Sequence, residues 1–261
     1  MPQRAEPSLR DTVVLGLLQG PAELLPVSST AHVELLGRRL AGYARLSPAG
    51  RKELAVALHA GSAAALAATW RPAPGRLALL ALATAPPALA GLLLEGPIER
   101  RLSARGPMAA GLVAGSIALV AADRRPQARA GGEAGHADAL WIGLAQAAAL
   151  APGVSRSGAV RAAARARGFT RGAAAELAAE TALPVLAGAT ALKGVRLARR
   201  RPGTRELAAL AAGATAAAAS TAAARVVARQ VEPPAWVWAA YRIALAGAVA
   251  SDRAVRHNGR R

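Results

Sequence analysis

The chain has 261 residues, of which 53% are hydrophobic and only 3% aromatic, and it contains no cysteine. Disulfides, thiolate metal sites and cysteine nucleophiles are therefore excluded. The formal net charge of +18 fits an anionic partner, namely a membrane surface, a phosphorylated substrate or a nucleic acid, or else a coding bias that raises alanine and arginine together. We expect no nucleic-acid partner, because the sequence lacks a soluble basic face with interleaved aromatic residues.

The first long apolar stretch, Leu17–Leu40, is too interrupted to be a membrane span. Glu23, Pro26 and His32 break it, and Arg38-Arg39 close it. This pattern predicts a re-entrant hairpin, in which two short helices around a proline-containing break enter the membrane and return on the same side. Irregular backbone at membrane depth is tolerated where protein or a polar cavity surrounds it. A second hairpin of this kind is predicted at Trp141–Arg167, which is broken by Pro152-Gly153 and Arg156.

Apolar stretches of roughly the 20 residues that a bilayer requires make up most of the remaining chain. Arginine clusters separate them, as is typical of loops between membrane spans. This layout predicts an integral membrane protein rather than a soluble alanine-rich helical protein, the alternative that the modest mean hydropathy of +0.26 leaves open. The six predicted spans are Leu54–Trp70, Leu77–Leu94, Gly106–Ala122, Gly172–Leu192, Leu207–Ala224 and Pro233–Ala250.

An internal repeat relates the two hairpins at an offset of 127 residues. Each half would hold one hairpin and three spans, and an odd number of crossings turns the second half upside down. Interrupted segments at matching positions of two halves indicate a binding site. The predicted fold is thus an all-α integral membrane protein, with six transmembrane helices and two re-entrant hairpins in an inverted-topology repeat. Residues 1–261 form one membrane domain, with half one at about 9–122, a mobile loop at 123–137 and half two at about 138–252. The paired positions are Gly16, Leu17, Gln19, Val27 and Ser28 with Gly143, Leu144, Gln146, Val154 and Ser155.

The break of the second hairpin, Pro152-Gly-Val-Ser-Arg-Ser-Gly158, has the composition of an anion cradle. Gly153 lets the backbone approach a ligand closely, and Ser155 is placed to cap the helix that follows. The free N–H groups at a helix start favour phosphate oxygens. Arg156 adds a bidentate donor suited to phosphate. We therefore predict substrate binding by Gly153, Ser155 and Ser157 beside Arg156, with a structural turn as the alternative.

The first hairpin carries hydroxyls and a carboxylate around its own break, which corresponds to the break of the second hairpin. Ser28, Ser29 and Thr30 are predicted to bind substrate or merely to cap a helix, and His32 shares a helical face with the serines. An imidazole beside serine is a usual way to activate a nucleophile. Glu23, on one face with Gln19, is predicted to hold a divalent ion, act as a base or pair with Arg156. Three isolated charged residues lie elsewhere in the predicted spans: Glu176, Glu180 and Arg242. The sequence leaves open whether they reach this site or pair with one another.

These two motifs make the chain resemble the undecaprenyl-diphosphate phosphatases of the bacitracin-resistance type. The resemblance rests on Glu23-Leu-Leu-Pro-Val-Ser-Ser-Thr-Ala-His32 and Pro152-Gly-Val-Ser-Arg-Ser-Gly-Ala159. Supporting matches extend it over essentially the whole chain, at Gly61-Ser62, Glu176, Pro184, Gly188-Ala-Thr-Ala-Leu192 and Tyr241-Arg242.

The resemblance implies a multi-pass enzyme of the bacterial plasma membrane. It would remove one phosphate from a C55 polyprenyl diphosphate, so that the lipid carrier re-enters cell-wall synthesis. It would depend on a divalent cation, Mg or Ca, held at Glu23; a homodimer is a further expectation. The alternative on this scaffold is a lipid-phosphate transporter or flippase with weak or no hydrolysis. The expected catalytic residues are Glu23, Ser29, His32 and Arg156, and the expected substrate-binding residues are Gln19, Ser28, Thr30, Gly153, Ser155 and Ser157.

The chain departs from the pattern of the resembled family at several positions. Gln19 stands where the family has a glutamate, and His59 stands where it has a glutamine; Ala31 and Val160 replace a glycine and a threonine. A neutral amide coordinates a metal or binds a phosphate, but it supplies no charge. We hypothesise that Glu180 restores the missing charge.

Overall fold

The computed structural model describes residues 5–228 and 233–252, and this part of the chain is helical, with no strand beyond an isolated bridge between Arg129 and Phe169. Two short 3₁₀ turns, Pro74–Arg76 and Gly131–Glu133, accompany the helices. The α-helices are α1 (Leu9–Leu24), α2 (Ser29–Gly37), α3 (Ala41–Arg45), α4 (Pro48–Thr69), α5 (Leu77–Leu102), α6 (Arg105–Asp123), α7 (His136–Ala148), α8 (Arg156–Ala166), α9 (Arg171–Glu180), α10 (Ala182–Arg200), α11 (Thr204–Ala228) and α12 (Ala235–Ser251).

Within these ranges, four helical segments are long and apolar enough to cross a membrane. They are α5, α6, α9 with α10, and α11 up to Val227. The outward face of α5 carries Leu89, Leu92, Leu93 and Leu94, which are between 48% and 75% exposed. A contiguous group of exposed leucines marks a surface that contacts lipid or protein. The all-α membrane class predicted from the sequence is confirmed at this level.

Two of the six predicted spans are not among these four segments. The stretch Leu54–Trp70 lies in α4, whose first turns carry Arg51, Lys52 and Glu53. The stretch Pro233–Ala250 lies in α12, an apolar helix of 17 residues.

The predicted span Gly172–Leu192 is not one regular helix, because α9 and α10 meet at Thr181. Pro184 has no N–H to donate to the carbonyl of Glu180, four residues earlier. That carbonyl instead accepts a hydrogen bond from the indole Nε1 of Trp70 at 3.3 Å. The proline thus frees a carbonyl, and the end of α4 binds to it.

The two predicted breaks occur where the prolines stand. α1 ends at Leu24, because Pro26 disfavours a helical conformation in the residue before it, and Leu25 is extended. Ser28 and Ser155, which are 127 residues apart, immediately precede α2 and α8 and have φ values of 72° and 68°. Positive φ is uncommon in residues other than glycine and is concentrated at functional sites. Both hairpins therefore turn through the same strained geometry at a serine.

Small residues bring each hairpin close to a long helix of the other half. A Cβ at Gly16 of α1 would meet the carbonyl oxygen of Gly213 on α11. The matching glycine, Gly143 of α7, faces the carbonyl of Ala83 on α5, where an added Cβ would lie 2.9 Å from that oxygen. Glycine permits such close backbone approach in membrane helices. The first hairpin thus packs on a late helix, and the second hairpin on an early one.

The loop at 123–137, which we expect to be mobile, makes hydrogen bonds and ion pairs with its surroundings. Arg129 donates to both carboxylate oxygens of Asp138, at 3.1 and 2.7 Å, and to the carbonyls of Glu133 and Arg167. Burial alone would raise the pKa of the Asp138 carboxyl, but the hydrogen bonds from Arg129, the Gly135 N–H and Arg167 hold that pKa below its ordinary value. These long-range contacts are not visible in glycine and proline content, and the mobility of the loop stays a prediction.

Candidate active site

The carboxylate of Glu23 is the centre of the candidate site. It lies at the end of α1, is 5% exposed and contacts side chains from three other helices. Its Oε2 atom accepts hydrogen bonds from Ser29 Oγ at 2.7 Å and from Gln19 Nε2 at 3.1 Å. Its Oε1 atom faces Arg156, with Nη2 at 3.2 Å and Nε at 3.4 Å. The sequence left three roles open for Glu23, and the pairing with Arg156 is one that the structure contains.

Arg156 is the first residue of α8 and brings the second hairpin to the first. Besides Glu23, it contacts the carbonyl of Ala178 through Nη1 at 3.0 Å. Ser157 strengthens the same junction, since its Oγ donates to the carbonyl of Leu25 at 2.7 Å. Ser155 caps α8 as predicted, because its Oγ accepts the N–H of Gly158 at 3.3 Å. The tips of the two hairpins are therefore joined through side chains of both motifs.

A cavity of about 210 Å³ lies between the hairpins. All the predicted site residues except Gln19 and His32 line it, and Gln19 lies behind it in contact with Glu23. The N-terminus of α8 and the guanidinium of Arg156 bring positive charge to this cavity beside the carboxylate of Glu23, and Ser28, Ser29 and Thr30 give it hydroxyls. Such a set of groups binds the oxygens of a phosphate.

A larger cavity of about 630 Å³ shares Arg156 and Ser157 with the first. Its lining includes Arg71 and Glu176. An apolar groove of about 340 Å³ shares Trp70 with this larger cavity and is otherwise lined by Leu77, Leu80, Ala81, Thr84, Ala85, Ala88 and Pro184. The larger cavity thus contacts Arg156 on one side and, at Trp70, borders the apolar groove.

Arg242 of α12, fully buried, holds the loops of both hairpins together. Its Nη1 donates to the carbonyl of Pro26 at 3.0 Å, and its Nη2 donates to those of Gly153 at 3.2 Å and Val154 at 2.8 Å. The sequence left open whether Arg242 reaches the site or pairs with a carboxylate. It binds backbone carbonyls beside the site instead.

His32 is not placed as the proton partner of Ser29 in this structure. Its Nδ1 lies 2.8 Å from the carbonyl of Ser28, and its Nε2 lies 2.5 Å from the hydroxyl of Tyr241, whose ring stacks on the imidazole. Ser29 donates to Glu23 and not to His32. The signal for Tyr241 was its position beside Arg242 in the resembled pattern, but its role in holding His32 was missed.

His59 is the second residue that the sequence interpretation undervalued. It lies on α4, lines the smaller cavity and places Nε2 3.5 Å from Glu23 Oε2. Its only signal was its place two residues before Gly61, where the resembled family has a glutamine.

Glu180 does not supply the charge that Gln19 lacks. Both of its oxygens accept hydrogen bonds of 2.6 Å from Arg76, on the far side of the larger cavity. The compensation hypothesis is therefore wrong. The carboxylate of Glu180 is instead neutralised by Arg76, which lies between helices, where helical periodicity predicts no position. Glu176 lines the larger cavity and not the smaller one.

The donor atoms around Glu23 fit a divalent cation only together with an anionic substrate. In the described ranges, no group of three or more histidines, aspartates or glutamates is placed to hold a metal ion. Glu23 and His59 supply two ligand atoms, and the neutral Gln19 and Ser29 supply further oxygens. Phosphate oxygens would have to complete the coordination of Mg or Ca, which prefer oxygen ligands.

Fold and site together define a helical membrane protein with a polar cavity, lined by an arginine, hydroxyls and a carboxylate, between two broken helical hairpins. A sequence profile of the family described as bacitracin resistance protein BacA matches residues 12–248. Curated relatives named undecaprenyl-diphosphatase include that of Geobacter sulfurreducens, 37% identical with 90% of this chain and 95% of the relative covered. That of Acidiphilium cryptum is 33% identical, with 77% and 82% covered, and undecaprenyl-diphosphatase 1 of Paraburkholderia xenovorans is 32% identical, with 69% and 71% covered. The chain therefore belongs to the BacA family of bacitracin resistance proteins, multi-pass proteins of the bacterial membrane.

Proposed function

We propose that the chain is an undecaprenyl-diphosphatase, a hydrolase that converts a polyprenyl diphosphate to the monophosphate and inorganic phosphate. The observation that carries this proposal is the joining of Glu23, Ser29 and Arg156 around one cavity, in a chain whose curated relatives bear that name. A transporter would need the anion site but not a hydroxyl bonded to a buried carboxylate. The alternative of a lipid-phosphate transporter is therefore the weaker one.

Binding of the diphosphate is assigned to Arg156 and to the backbone N–H groups at the start of α8. A guanidinium binds phosphate through two parallel hydrogen bonds, and a helix N-terminus adds a partial positive charge. Gly153, Ser155, Ser157, Ser28 and Thr30 line the same cavity and are assigned to the remaining phosphate oxygens. The prenyl chain would lie in the apolar groove beside Trp70, which the larger cavity connects to Arg156.

Hydrolysis breaks the phosphoanhydride bond at the terminal phosphorus, and the bridging oxygen leaves with the lipid monophosphate. Ser29 either orients a water that attacks that phosphorus, or attacks it directly to form a phosphoserine that a water then hydrolyses to inorganic phosphate. In both cases Glu23, 2.7 Å from Ser29 Oγ, is placed to take the proton of the attacking group. Arg156 neutralises the charge that develops on the phosphate oxygens. Glu23, protonated in that step, is placed to return the proton to the leaving oxygen, whereas His32, held between the carbonyl of Ser28 and the hydroxyl of Tyr241, is assigned to positioning the turn that carries Ser28 and Ser29.

A divalent cation is part of the proposal, held by Glu23 with Gln19 beside it. When bound, it would withdraw charge from the phosphate oxygens. The assembly of the enzyme as a homodimer stays a prediction, which light scattering of the detergent-solubilised protein would test.

The six-span arrangement with two re-entrant hairpins is proposed on three observations. α1 and α7 are followed by breaks at serines of the same unusual conformation, 127 residues apart. The hairpin of each half packs on a long helix of the other half through the matched Gly16 and Gly143. α4, which is long enough but charged in its first turns, and α12, which is apolar but has only 17 residues, pack against α11 and α6 and would cross the membrane beside them.

The decisive experiment is phosphate release from a polyprenyl diphosphate by the purified protein, with and without a chelator. We expect metal-dependent release. Arg156→Ala should reduce kcat by roughly 10²- to 10³-fold, the effect of removing a preorganised donor from an anionic transition state. Arg196→Ala, an exposed arginine of α10 that pairs with Glu95 and lines neither cavity, is the matched control and should retain activity. Intact binding of the lipid diphosphate without any release would overturn the enzyme assignment in favour of transport.

A further inference from the structure

His59 is held in an orientation that aims one ring nitrogen at the centre of the site. Its Nδ1 lies 2.7 Å from the carbonyl of Ala55, one turn earlier in α4. Because a carbonyl only accepts, this contact places a proton on Nδ1, and in the neutral ring that a metal would bind, the Nε2 lone pair faces Glu23. A ring N–H bonded to a backbone carbonyl is the usual support of a metal-binding histidine, since it fixes both tautomer and ring orientation.

The spacing between His59 and Glu23 suits two ligands of one cation. Two ligand atoms at about 2.1 Å from a shared metal, at a near-tetrahedral angle, lie about 3.4 Å apart. The observed separation of Nε2 and Oε2 is 3.5 Å. The two atoms therefore need little movement to bind the same ion.

The surroundings of Glu23 divide its two oxygens between different partners. Arg156 contacts Oε1, whereas His59, Gln19 and Ser29 all face Oε2. A rotation of the Gln19 amide by 180° would exchange its nitrogen for its oxygen at 3.1 Å from Oε2, because the two atoms occupy nearly equivalent positions. An imidazole nitrogen and an amide oxygen would then both lie next to Oε2 of Glu23.

We propose that His59 is a nitrogen ligand of the divalent cation, together with Glu23 and the amide oxygen of Gln19. The inference rests on the cation of the proposed function and changes its class. Imidazole suits Zn, Mn and similar ions better than Mg or Ca, which prefer oxygen. In this chain the histidine also replaces the binding strength that a second carboxylate would have given.

The test is pulsed electron paramagnetic resonance of Mn²⁺ bound to the detergent-purified protein in the presence of inorganic pyrophosphate. We expect a ¹⁴N coupling to the manganese in the unaltered protein. His59→Gln should abolish the coupling and weaken Mn²⁺ and Zn²⁺ binding by at least the roughly 10- to 100-fold that loss of an outer-shell partner costs. Mg²⁺ binding should change much less.

The matched control is His136→Gln, at the exposed start of α7, which should leave the ¹⁴N coupling unchanged. Absence of the coupling in the unaltered protein, or its persistence in His59→Gln, would overturn the inference. Phosphate release measured on the same samples separates the two proposals. Metal-dependent phosphate release without nitrogen coupling would support the hydrolase and show that His59 does not bind the metal. Bound Mn²⁺ with nitrogen coupling but without phosphate release would support His59 as a ligand and contradict the hydrolase.

Discussion

At the scale of single residues, Glu23 has more partners than a purely structural ion pair requires. A buried carboxylate costs free energy unless it is paired and hydrogen-bonded, and Arg156 alone would provide the pairing. Ser29 and Gln19 add hydrogen bonds, and Ser29 lines the cavity where a substrate would lie. The carboxylate is therefore positioned both to hold Arg156 and to accept a proton from Ser29.

Glu23→Gln should lower the kcat for phosphate release by roughly 10²-fold or more, because the amide keeps the size of the side chain but cannot act as a base. Glu34→Gln is the control, since Glu34 is bonded to Tyr43 and Arg38 outside the cavity. Phosphate release by the two variants, compared at equal amounts of folded protein, checks this prediction. Equal activity of the two would remove Glu23 from the reaction.

Tyr241→Phe should lower kcat about fivefold, since it keeps the stack on His32 but removes one hydrogen bond, worth about 1 kcal/mol. Tyr43→Phe removes a hydroxyl from Glu34 and should leave kcat unchanged. These are the two tyrosines of the chain, so the pair gives a matched comparison of turnover rates. An unchanged kcat in Tyr241→Phe would show that His32 needs no support from α12.

At the scale of elements, the position of Glu23 depends on how closely α1 approaches α11. The hydroxyl of Ser220 on α11 donates to the carbonyl of Gly16 at 2.9 Å, and a Cβ at Gly20 would meet Ser220 itself. Helices in a membrane gain association energy from such packing rather than from hydrophobic burial. A substitution at the contact between α1 and α11 should therefore shift the end of α1, where the carboxylate of Glu23 lies.

Gly16→Ala should destabilise the protein by about 1–3 kcal/mol, because the added methyl would overlap the backbone of α11. Gly91→Ala is the control: nothing lies within 4 Å of its would-be Cβ, and the change should raise stability slightly, since alanine favours a helix. Thermal unfolding in detergent measures both. A higher midpoint for Gly16→Ala than for the unaltered protein would mean that the two helices separate easily.

The local sequence predicted where the helices of the site begin and end better than it predicted the side-chain contacts between them. The breaks of both hairpins follow from Pro26 and Pro152, and the cap of α8 follows from Ser155, because these effects act within one helical turn. The pairing of Glu180 with Arg76, 104 residues away in the chain, depends on tertiary packing that periodicity does not encode. His59 was undervalued for the same reason, since its significance appears only once α4 lies against α1.

At the scale of the whole molecule, the absence of cysteine makes the proposed topology directly testable. In an inverted repeat with three crossings in each half, the starts of α1 and α7 lie on opposite faces of the membrane. Both starts are exposed, at Glu6 and Ala137.

Single cysteines introduced as Glu6→Cys and Ala137→Cys should react with a membrane-impermeant maleimide from opposite sides of sealed vesicles. A third variant, Ser251→Cys at the end of α12, should label from the same side as Glu6→Cys. Labelling of Glu6→Cys and Ala137→Cys from one side would refute the inverted arrangement and require a different number of crossings.

The three carbonyls bound by Arg242 have a consequence for biosynthesis. Both hairpins are synthesised long before residue 242 leaves the ribosome, so during translation their loops exist without the side chain that ties them together. Pro26, Gly153 and Val154 would leave unpaired carbonyls in the membrane interior until α12 inserts, and such groups are costly there. A chain interrupted before its last helix therefore carries both sequence motifs, with Arg156 and Ser157 to join them, but lacks the buried guanidinium that binds the loops of both hairpins.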